Sequence, residues 1–182
     1  MTSSPGPTHE LWLLRHAKTV ADPPPGGTDH ERRLAPRGRR DAEALGRRLA
    51  EGSLGLKATL PGLVLTSTAT RTRQTTELVL AALGEPPEVD ARRSLYGASP
   101  DEVVEQLRGL DEDLASVMVV GHNPTAMDLV VSLAGSGPLD QLHHVERHGF
   151  PTCGLLVVSW AGPWAEVALG TATLIGVVTP PY

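Results

Sequence analysis

Short apolar runs and longer amphipathic segments alternate along the 182 residues of the chain. Three of the short runs predict buried strands, and each of these ends in polar residues: ELWLLRH from Glu10, GLVLTS from Gly62 and SVMVVGH from Ser116. Two later runs, GLLVVSW from Gly154 and the segment 164–178, predict a pair of strands joined by the turn Ala-Gly-Pro. The pattern therefore predicts five strands.

The segments between these runs predict four helices, at about residues 36–51, 69–83, 100–110 and 124–134. The third begins with a capping box formed by Ser99 and Glu102, and Asn123 is the predicted cap of the fourth. Strands that alternate with helices favour a mostly parallel sheet covered on both faces. We therefore expect a three-layer α/β/α fold in one domain over residues 10–182, preceded by a flexible N-terminal segment, residues 1–9.

Composition narrows the class of protein. Hydrophobic residues at 40% and charged residues at 20% are typical of a globular protein, and a net charge of −5 argues against a nucleic-acid partner. One basic run could form an electrostatic docking surface: Arg37, Arg39, Arg40, Arg47 and Arg48. Acidic residues interrupt this run, so a solvated helix face is the favoured interpretation.

The single cysteine and the lack of targeting signals indicate a reduced compartment. Cys153 excludes an intramolecular disulfide and a cysteine-rich metal site, and its apolar surroundings predict a buried thiol. The chain begins without a signal-peptide pattern, and no stretch approaches the roughly 18 apolar residues of a membrane span. We expect a cytoplasmic protein with no membrane partner.

Polar side chains follow three of the predicted strands at the point where each strand ends. Arg15 and His16 end the first strand, Ser67 the second and His122 the third, and Arg71 lies one turn into the helix after Ser67. Ligands of parallel sheets bind beyond the carboxyl ends of the strands. Two arginine forks suit phosphate oxygens, and a neutral histidine beside them could attack phosphorus. The sequence therefore predicts a phosphate site at this edge.

Metal chemistry is not indicated. The sequence contains no metal-ligand set and no P-loop, so the cationic side chains would replace the magnesium ion of other phosphoryl-transfer sites, and no cofactor is expected. His143, His144 and His148 could suggest zinc, but no cysteine or spaced pair of carboxylates accompanies them. We interpret these three histidines as part of a polar loop.

Three motifs together resemble the histidine phosphatase superfamily, which has the phosphoglycerate mutase-like fold. They are LLRHAKT from Leu13, LTSTATRTRQTTE from Leu65 and VVGHNP from Val119, and the resemblance extends from about Glu10 to Ser159. The small size of the chain and the Arg-His-Ala-Lys form of the first motif are similar to the SixA-type branch, which contains phosphohistidine phosphatases.

The resemblance implies a role for each matching residue. His16 becomes the nucleophile that carries the phosphoryl group, while Arg15, Arg71 and His122 bind that group. It also implies, from the stretch DHERRLAPRG, that Arg32 faces the pocket.

Two cationic residues near these positions keep alternative interpretations. Lys18 could add charge to the site or be a solvated lysine, and only the register of the motif selects Arg71 over Arg73.

The favoured function is a metal-independent phosphatase that acts through phosphorylated His16, on phosphohistidine proteins. Two alternatives stay open: a phosphatase of nucleotides or other small phosphoesters, and a non-catalytic module of the same fold that binds a phosphorylated partner. No carboxylic acid stands out as a proton donor, since Asp22 lies in a loop and Asp101 and Glu102 belong to the capping region of a helix. This favours substrates whose leaving group needs little protonation.

Overall fold

A seven-stranded sheet organises the computed structural model, which describes residues 8–182. The strands are β1 (Thr8–Arg15), β2 (Leu63–Ser67), β3 (Glu88–Arg92), β4 (Ser116–Gly121), β5 (Ala134–Ser136), β6 (Leu155–Ala161) and β7 (Ala172–Val178). The helices are α1 (Pro36–Ala50), α2 (Thr70–Leu80), α3 (Pro100–Arg108), α4 (Thr125–Leu133) and α5 (Leu139–His148). Short 3₁₀ helices cover Asp29–Glu31, Arg93–Leu95 and Trp164–Glu166.

The strand order over the described residues is β3-β2-β4-β1-β6-β7-β5. Strands β3, β2, β4 and β1 are parallel neighbours, whereas β6 runs antiparallel to both β1 and β7, and β5 is parallel to β7. The carboxyl ends of β1, β2 and β4 therefore meet at one edge of the sheet. The predicted α/β fold with a mostly parallel sheet is confirmed.

Alternating residues of the strands divide the core between two faces. Leu11 and Leu13 of β1 pack in one cluster with side chains of α3, α4 and α5. Trp12 and Leu14 pack in the other cluster with side chains of α1 and α2. Complete burial of a leucine side chain stabilises a fold by about 1.5–3 kcal/mol, so both faces of β1 hold the helical layers in place.

Helix α1 packs closely against the loop after β1 at the position of Gly38. A Cβ atom on Gly38 would lie 2.1 Å from the carbonyl oxygen of Lys18, which leaves no room for a side chain. The same loop is joined to the segment before α1 by a bridge between Thr19 and Leu34. The first turns of α1 thus lie directly against the residues that follow His16.

Two strands and one α-helix were not predicted from the sequence. They are β3 at one edge of the sheet, the short strand β5, and α5, which carries His143, His144 and His148. The prediction of a polar loop for these histidines was wrong, because Leu139, Leu142 and Val145 recur at helical spacing and the last two of them are buried. The histidines are exposed on the other side of the helix.

Two predicted details of the late strands and helices were wrong. Strands β6 and β7 do pair antiparallel, but residues 162–171 connect them and include a 3₁₀ helix, so the turn is longer than Ala-Gly-Pro. Asn123 does not cap α4; its Nδ2 donates to the carbonyl oxygen of Phe150 at 3.4 Å, and Pro124 occupies the N-cap position. The capping box of Ser99 and Glu102 is present at the start of α3 as predicted.

Strand β1 begins earlier than the predicted boundary of the domain. Thr8 and His9 belong to β1, and His9 is buried with its Nδ1 atom 2.7 Å from the carbonyl oxygen of Gly162. Residues 1–7, the rest of the predicted flexible segment, lie outside the described residues. No helix in the range 8–182 combines the length and apolar character that crossing a membrane requires.

Candidate active site

The pairing of β1 with β4 brings two histidines together at the carboxyl edge of the sheet. Arg15 lies opposite Gly121 in the parallel ladder, and the backbone N–H of His16 donates to the carbonyl oxygen of Gly121 at 3.0 Å. His122 follows Gly121 directly, so the two imidazole rings lie with their centroids 5.3 Å apart. Sequence positions 106 residues apart are thus joined by a single pair of strands.

The hydrogen bonds of His16 determine which ring nitrogen carries the proton. Its Nδ1 atom lies 2.8 Å from the carbonyl oxygen of Ala17, and a carbonyl oxygen only accepts, so Nδ1 holds the hydrogen. Burial lowers the pKa of His16 to about 4, and the positive charges of Arg71 and Arg15 act in the same direction against the opposing effect of the Ala17 hydrogen bond. At neutral pH the ring is uncharged and Nε2 carries a lone pair.

His122 is oriented by a side chain from the neighbouring strand. Its Nε2 atom lies 3.1 Å from Oγ of Ser67, the buried last residue of β2, and its Nδ1 atom is buried without a hydrogen-bond partner among the described residues. Burial lowers the pKa of His122 to about 3, with further contributions from Arg71 and His16. A neutral His122 therefore stands beside His16 as a possible hydrogen-bond donor.

Arg15 reaches the site from the last position of β1. Its Nη1 atom donates a hydrogen bond to the carbonyl oxygen of Phe150. Its Nε atom is buried without a hydrogen-bond partner in the part of the chain that the structure describes. A buried N–H donor without an acceptor is costly, and an oxyanion beside it would satisfy it.

Arg71 reaches the site from the first turn of α2. The short link between β2 and α2 is held by Thr72, whose Oγ1 donates to the carbonyl oxygens of Ser67 and Ala69 at 2.7 and 2.8 Å. The side chain of Arg71 is only 9% exposed and forms two hydrogen bonds with Asp29, while Arg73 two positions later is exposed. In the sequence only the register of the motif favours Arg71 over Arg73. In the structure the two differ in burial, since Arg71 is buried and Arg73 is exposed.

Arg32 and Lys18 occupy the loop after β1 in different ways. The guanidinium of Arg32 donates to Asp29, to the carbonyl oxygen of Val20 and to the hydroxyl of Thr19, and its charge is among those that lower the pKa of His16. Lys18 is exposed, and its carbonyl oxygen accepts from the backbone N–H of Ala35. Arg32 is thus near His16 but mostly committed to the loop.

Two site residues were missed in the sequence. Asp29 accepts hydrogen bonds from Arg32, Arg71 and the hydroxyl of Tyr96, and the ring of Tyr96 lies edge-on to His122 with centroids 5.5 Å apart. The hydrogen bond from Arg32 and the neighbouring charges hold the pKa of Asp29 at about 2. Asp29 opens the stretch DHERRL three positions before Arg32, which was the available signal.

Metal ligation is not evident at this edge or on α5. Within residues 8–182 no group of three or more His, Cys, Asp or Glu side chains is arranged to hold a metal ion. His144 and His148 stack on each other along α5, with centroids 4.4 Å apart. The neighbours of His16 and His122 at the sheet edge are arginines, which cannot ligate a metal ion, rather than carboxylates, which could.

The carboxyl edge of this mostly parallel sheet carries an Arg-His pair, a second arginine and a second histidine. This set is typical of sites for phosphoryl transfer, and comparisons with known proteins agree with that class. The sequence model of the histidine phosphatase superfamily (branch 1) matches residues 11–93. An uncharacterized protein of Mycobacterium tuberculosis, Rv1276c, is 41% identical over 92% of this chain and 99% of its own.

Solved structures give the same assignment. A protein named as the phosphohistidine phosphatase SixA from Nakamurella multipartitia is 32% identical, with a TM-score of 0.78 over 98% of this chain and 100% of that one. The corresponding protein of Agrobacterium tumefaciens is 31% identical, with a TM-score of 0.75 over 94% and 98% of the two chains. The chain belongs to the histidine phosphatase superfamily, in its SixA-type branch.

Replacement of the two arginines of α2 tests the assignment of Arg71. Arg71→Ala should lower kcat/KM on an aryl phosphate by about 10² to 10³, the loss that follows removal of one donor to a developing negative charge. Arg73→Ala, the matched control on the exposed side of the same helix, should leave the rate unchanged. Equal losses, or a larger loss for Arg73→Ala in a folded protein, would show that the wrong arginine is assigned.

Proposed function

We propose that this phosphatase acts in two steps through a phosphoryl group bound to Nε2 of His16, without a metal ion. The observation that carries the proposal is the hydrogen bond from Nδ1 of His16 to the carbonyl oxygen of Ala17, 2.8 Å long. This bond keeps the proton off Nε2, and the neighbouring charges of Arg71 and Arg15 disfavour a second proton on the ring. The imidazole is therefore a nucleophile without needing a separate base.

The two steps balance in atoms and charge. The lone pair of Nε2 forms a bond to phosphorus while the bond from phosphorus to the leaving group breaks, and the leaving group keeps that electron pair and takes up a proton from solvent. Water then attacks phosphorus, the bond to Nε2 breaks, and inorganic phosphate leaves with one water proton passing to solvent. His16 returns to its neutral form for the next cycle.

Cationic and polar donors around His16 would stabilise the phosphoryl oxygens during transfer. Arg15 offers the buried Nε–H that has no partner among the described residues, and Arg71 keeps donors beyond the two that bind Asp29. The His122 ring lies with its centroid 5.3 Å from that of His16 and would donate from a ring nitrogen. Together these groups would supply the positive field that a magnesium ion supplies in other phosphoryl-transfer sites.

The states of three carboxylates support phosphohistidine proteins as the substrate. The pKa of Asp29 is about 2, too low for a proton donor at neutral pH, while Asp22 is exposed and Glu102 is engaged with Ser99 in the capping box. Imidazole leaves phosphorus as a neutral ring once its other nitrogen is protonated, near the histidine pKa of about 6.5. The two solved relatives above carry the name of phosphohistidine phosphatases, which agrees with this choice.

Intact-mass measurement after brief exposure to substrate tests the covalent step. The wild-type protein in excess chelator should gain one phosphoryl group that is labile to acid, because a phosphorylated imidazole hydrolyses in acid. His16→Ala should show neither the added mass nor turnover, whereas His143→Ala, which removes an exposed histidine on α5, should behave as wild type.

Two results would contradict the covalent mechanism. One is full turnover by a folded His16→Ala protein. The other is loss of wild-type activity in chelator with recovery on addition of zinc or magnesium, which would indicate a metal-dependent route.

A series of substrates graded by the pKa of the leaving group tests the choice of substrate. Phosphohistidine and aryl phosphates should have much higher kcat/KM than phosphoserine or sugar phosphates, because Asp29, the carboxylate that contacts Arg71, is ionised at neutral pH and cannot protonate an alkoxide. The dependence should be equally steep in the wild type and in Asp22→Asn. A flat dependence in the wild type that turns steep in Asp22→Asn would identify Asp22 as a general acid and favour ordinary phosphomonoesters.

A further inference from the structure

Asp29, in the loop after β1, accepts four hydrogen bonds, two of which come from Arg71 of helix α2. Its Oδ1 atom accepts from Arg32 at 3.0 Å, and its Oδ2 atom accepts from Arg71 and from the hydroxyl of Tyr96, both at 3.0 Å. Its backbone carbonyl oxygen accepts a second bond from Arg71, at 2.7 Å. One residue thus holds the guanidinium of Arg71 at two of its nitrogen atoms.

The loop that carries Asp29 is itself fastened at both ends. Arg32 donates from Nε and Nη2 to the carbonyl oxygen of Val20, at 3.1 and 2.8 Å, and from Nη2 to the hydroxyl of Thr19. The backbone N–H of Leu34 donates to Oε1 of Gln74 on α2 at 2.9 Å. These contacts hold the loop on both sides of Asp29, and the fixed loop backbone determines where its carboxylate lies.

Arg32 and Arg71 differ in how many of their N–H donors are used in hydrogen bonds. A guanidinium has five N–H donors. Among residues 8–182, Arg32 uses four of them on Thr19, Val20 and Asp29. In the same range Arg71 uses two on Asp29, and its other three, including Nε–H, make no hydrogen bond. Arg71 is the better equipped of the two to bind a phosphoryl group, and Arg32 is better suited to support the loop.

We propose that Asp29 is a positioning residue that fixes the guanidinium of Arg71 in the orientation required to bind the phosphoryl group. It acts through Arg71 and does not contact the substrate, and Arg32 and Tyr96 hold its carboxylate in place. The role rests on the proposed function to the extent that Arg71 is a phosphate ligand. A long arginine side chain otherwise samples many rotamers, so a fixed partner reduces the ordering required when phosphate binds.

A carboxylate beside a phosphate-binding arginine could also act as a competitor that phosphate displaces. The contacts argue against this, because movement of Asp29 away from Arg71 would also remove the acceptor of the Tyr96 hydroxyl and of Nη1 of Arg32. The two roles predict opposite effects on phosphate affinity when the charge is removed. A positioning residue strengthens phosphate binding, whereas a competitor weakens it.

A double-mutant cycle between Asp29 and Arg71 tests the proposal. Asp29→Asn should lower kcat/KM on an aryl phosphate by about 10-fold in the wild-type background, a loss typical of removing a partner that orients a ligand. In the Arg71→Ala background the same change should alter kcat/KM by less than about 2-fold, because a residue that acts through Arg71 has nothing left to position. Asp29→Glu should recover part of the loss by restoring the charge.

The matched control is Asp22→Asn, which removes an exposed carboxylate from the same loop and should change neither background. Circular dichroism of each variant checks that it is folded. Equal effects of Asp29→Asn in both backgrounds would overturn the proposal, since Asp29 would then act independently of Arg71.

Binding of inorganic phosphate, followed by calorimetry, separates this proposal from the proposed function. Asp29→Asn should weaken phosphate binding only when Arg71 is present, whether or not the protein turns substrate over. Tighter phosphate binding by Asp29→Asn would overturn the positioning role and identify Asp29 as a competitor. A protein that binds phosphate in this pattern but forms no phosphohistidine would contradict the proposed function and leave the positioning role supported.

Discussion

The hydrogen bond from Nδ1 of His16 to the carbonyl oxygen of Ala17 is the interaction on which the site depends. It assigns the ring proton to one nitrogen and leaves the lone pair on the other. Burial and the charges of Arg71 and Arg15 lower the pKa of His16, so the cationic surroundings that would attract a phosphate also keep the imidazole neutral. The charges that would attract a phosphate thus add to the effect of burial, which is the larger cause of the neutral imidazole.

The turn at residues 150–154, far from β1 in the sequence, holds the backbone of Arg15 and His16. The N–H of Cys153 donates to the carbonyl oxygens of Arg15 and His16, both at 3.1 Å, and the carbonyl oxygen of Phe150 accepts from the Arg15 side chain. Cys153 has a φ of 64°, a left-handed conformation uncommon outside glycine, and Tyr182 donates its hydroxyl hydrogen to the Cys153 carbonyl oxygen. Backbone groups of residues 150–154 therefore fix where β1 ends.

The parts of the site that could be predicted are those set by strand ends. His16, Ser67 and His122 follow apolar runs, and the geometry of parallel strands alone brings them to one edge. Strand β3 escaped prediction because its five residues at the sheet edge are polar or exposed, so no buried run marks it. Asp29 escaped because its partner Arg71 lies 42 positions away, and a loop carboxylate does not indicate by its type which arginine it will contact.

Nitrogen-15 NMR of the histidine side chains, followed from pH 7 to pH 3, measures the state of His16 directly. The resonances that disappear in His16→Asn identify that ring. We expect the proton on Nδ1, Nε2 without a hydrogen at neutral pH, and a titration midpoint for the His16 pKa near 4. A proton on Nε2, or a pKa at the ordinary histidine value of about 6.5, would contradict the account of His16 as a neutral nucleophile held by Ala17.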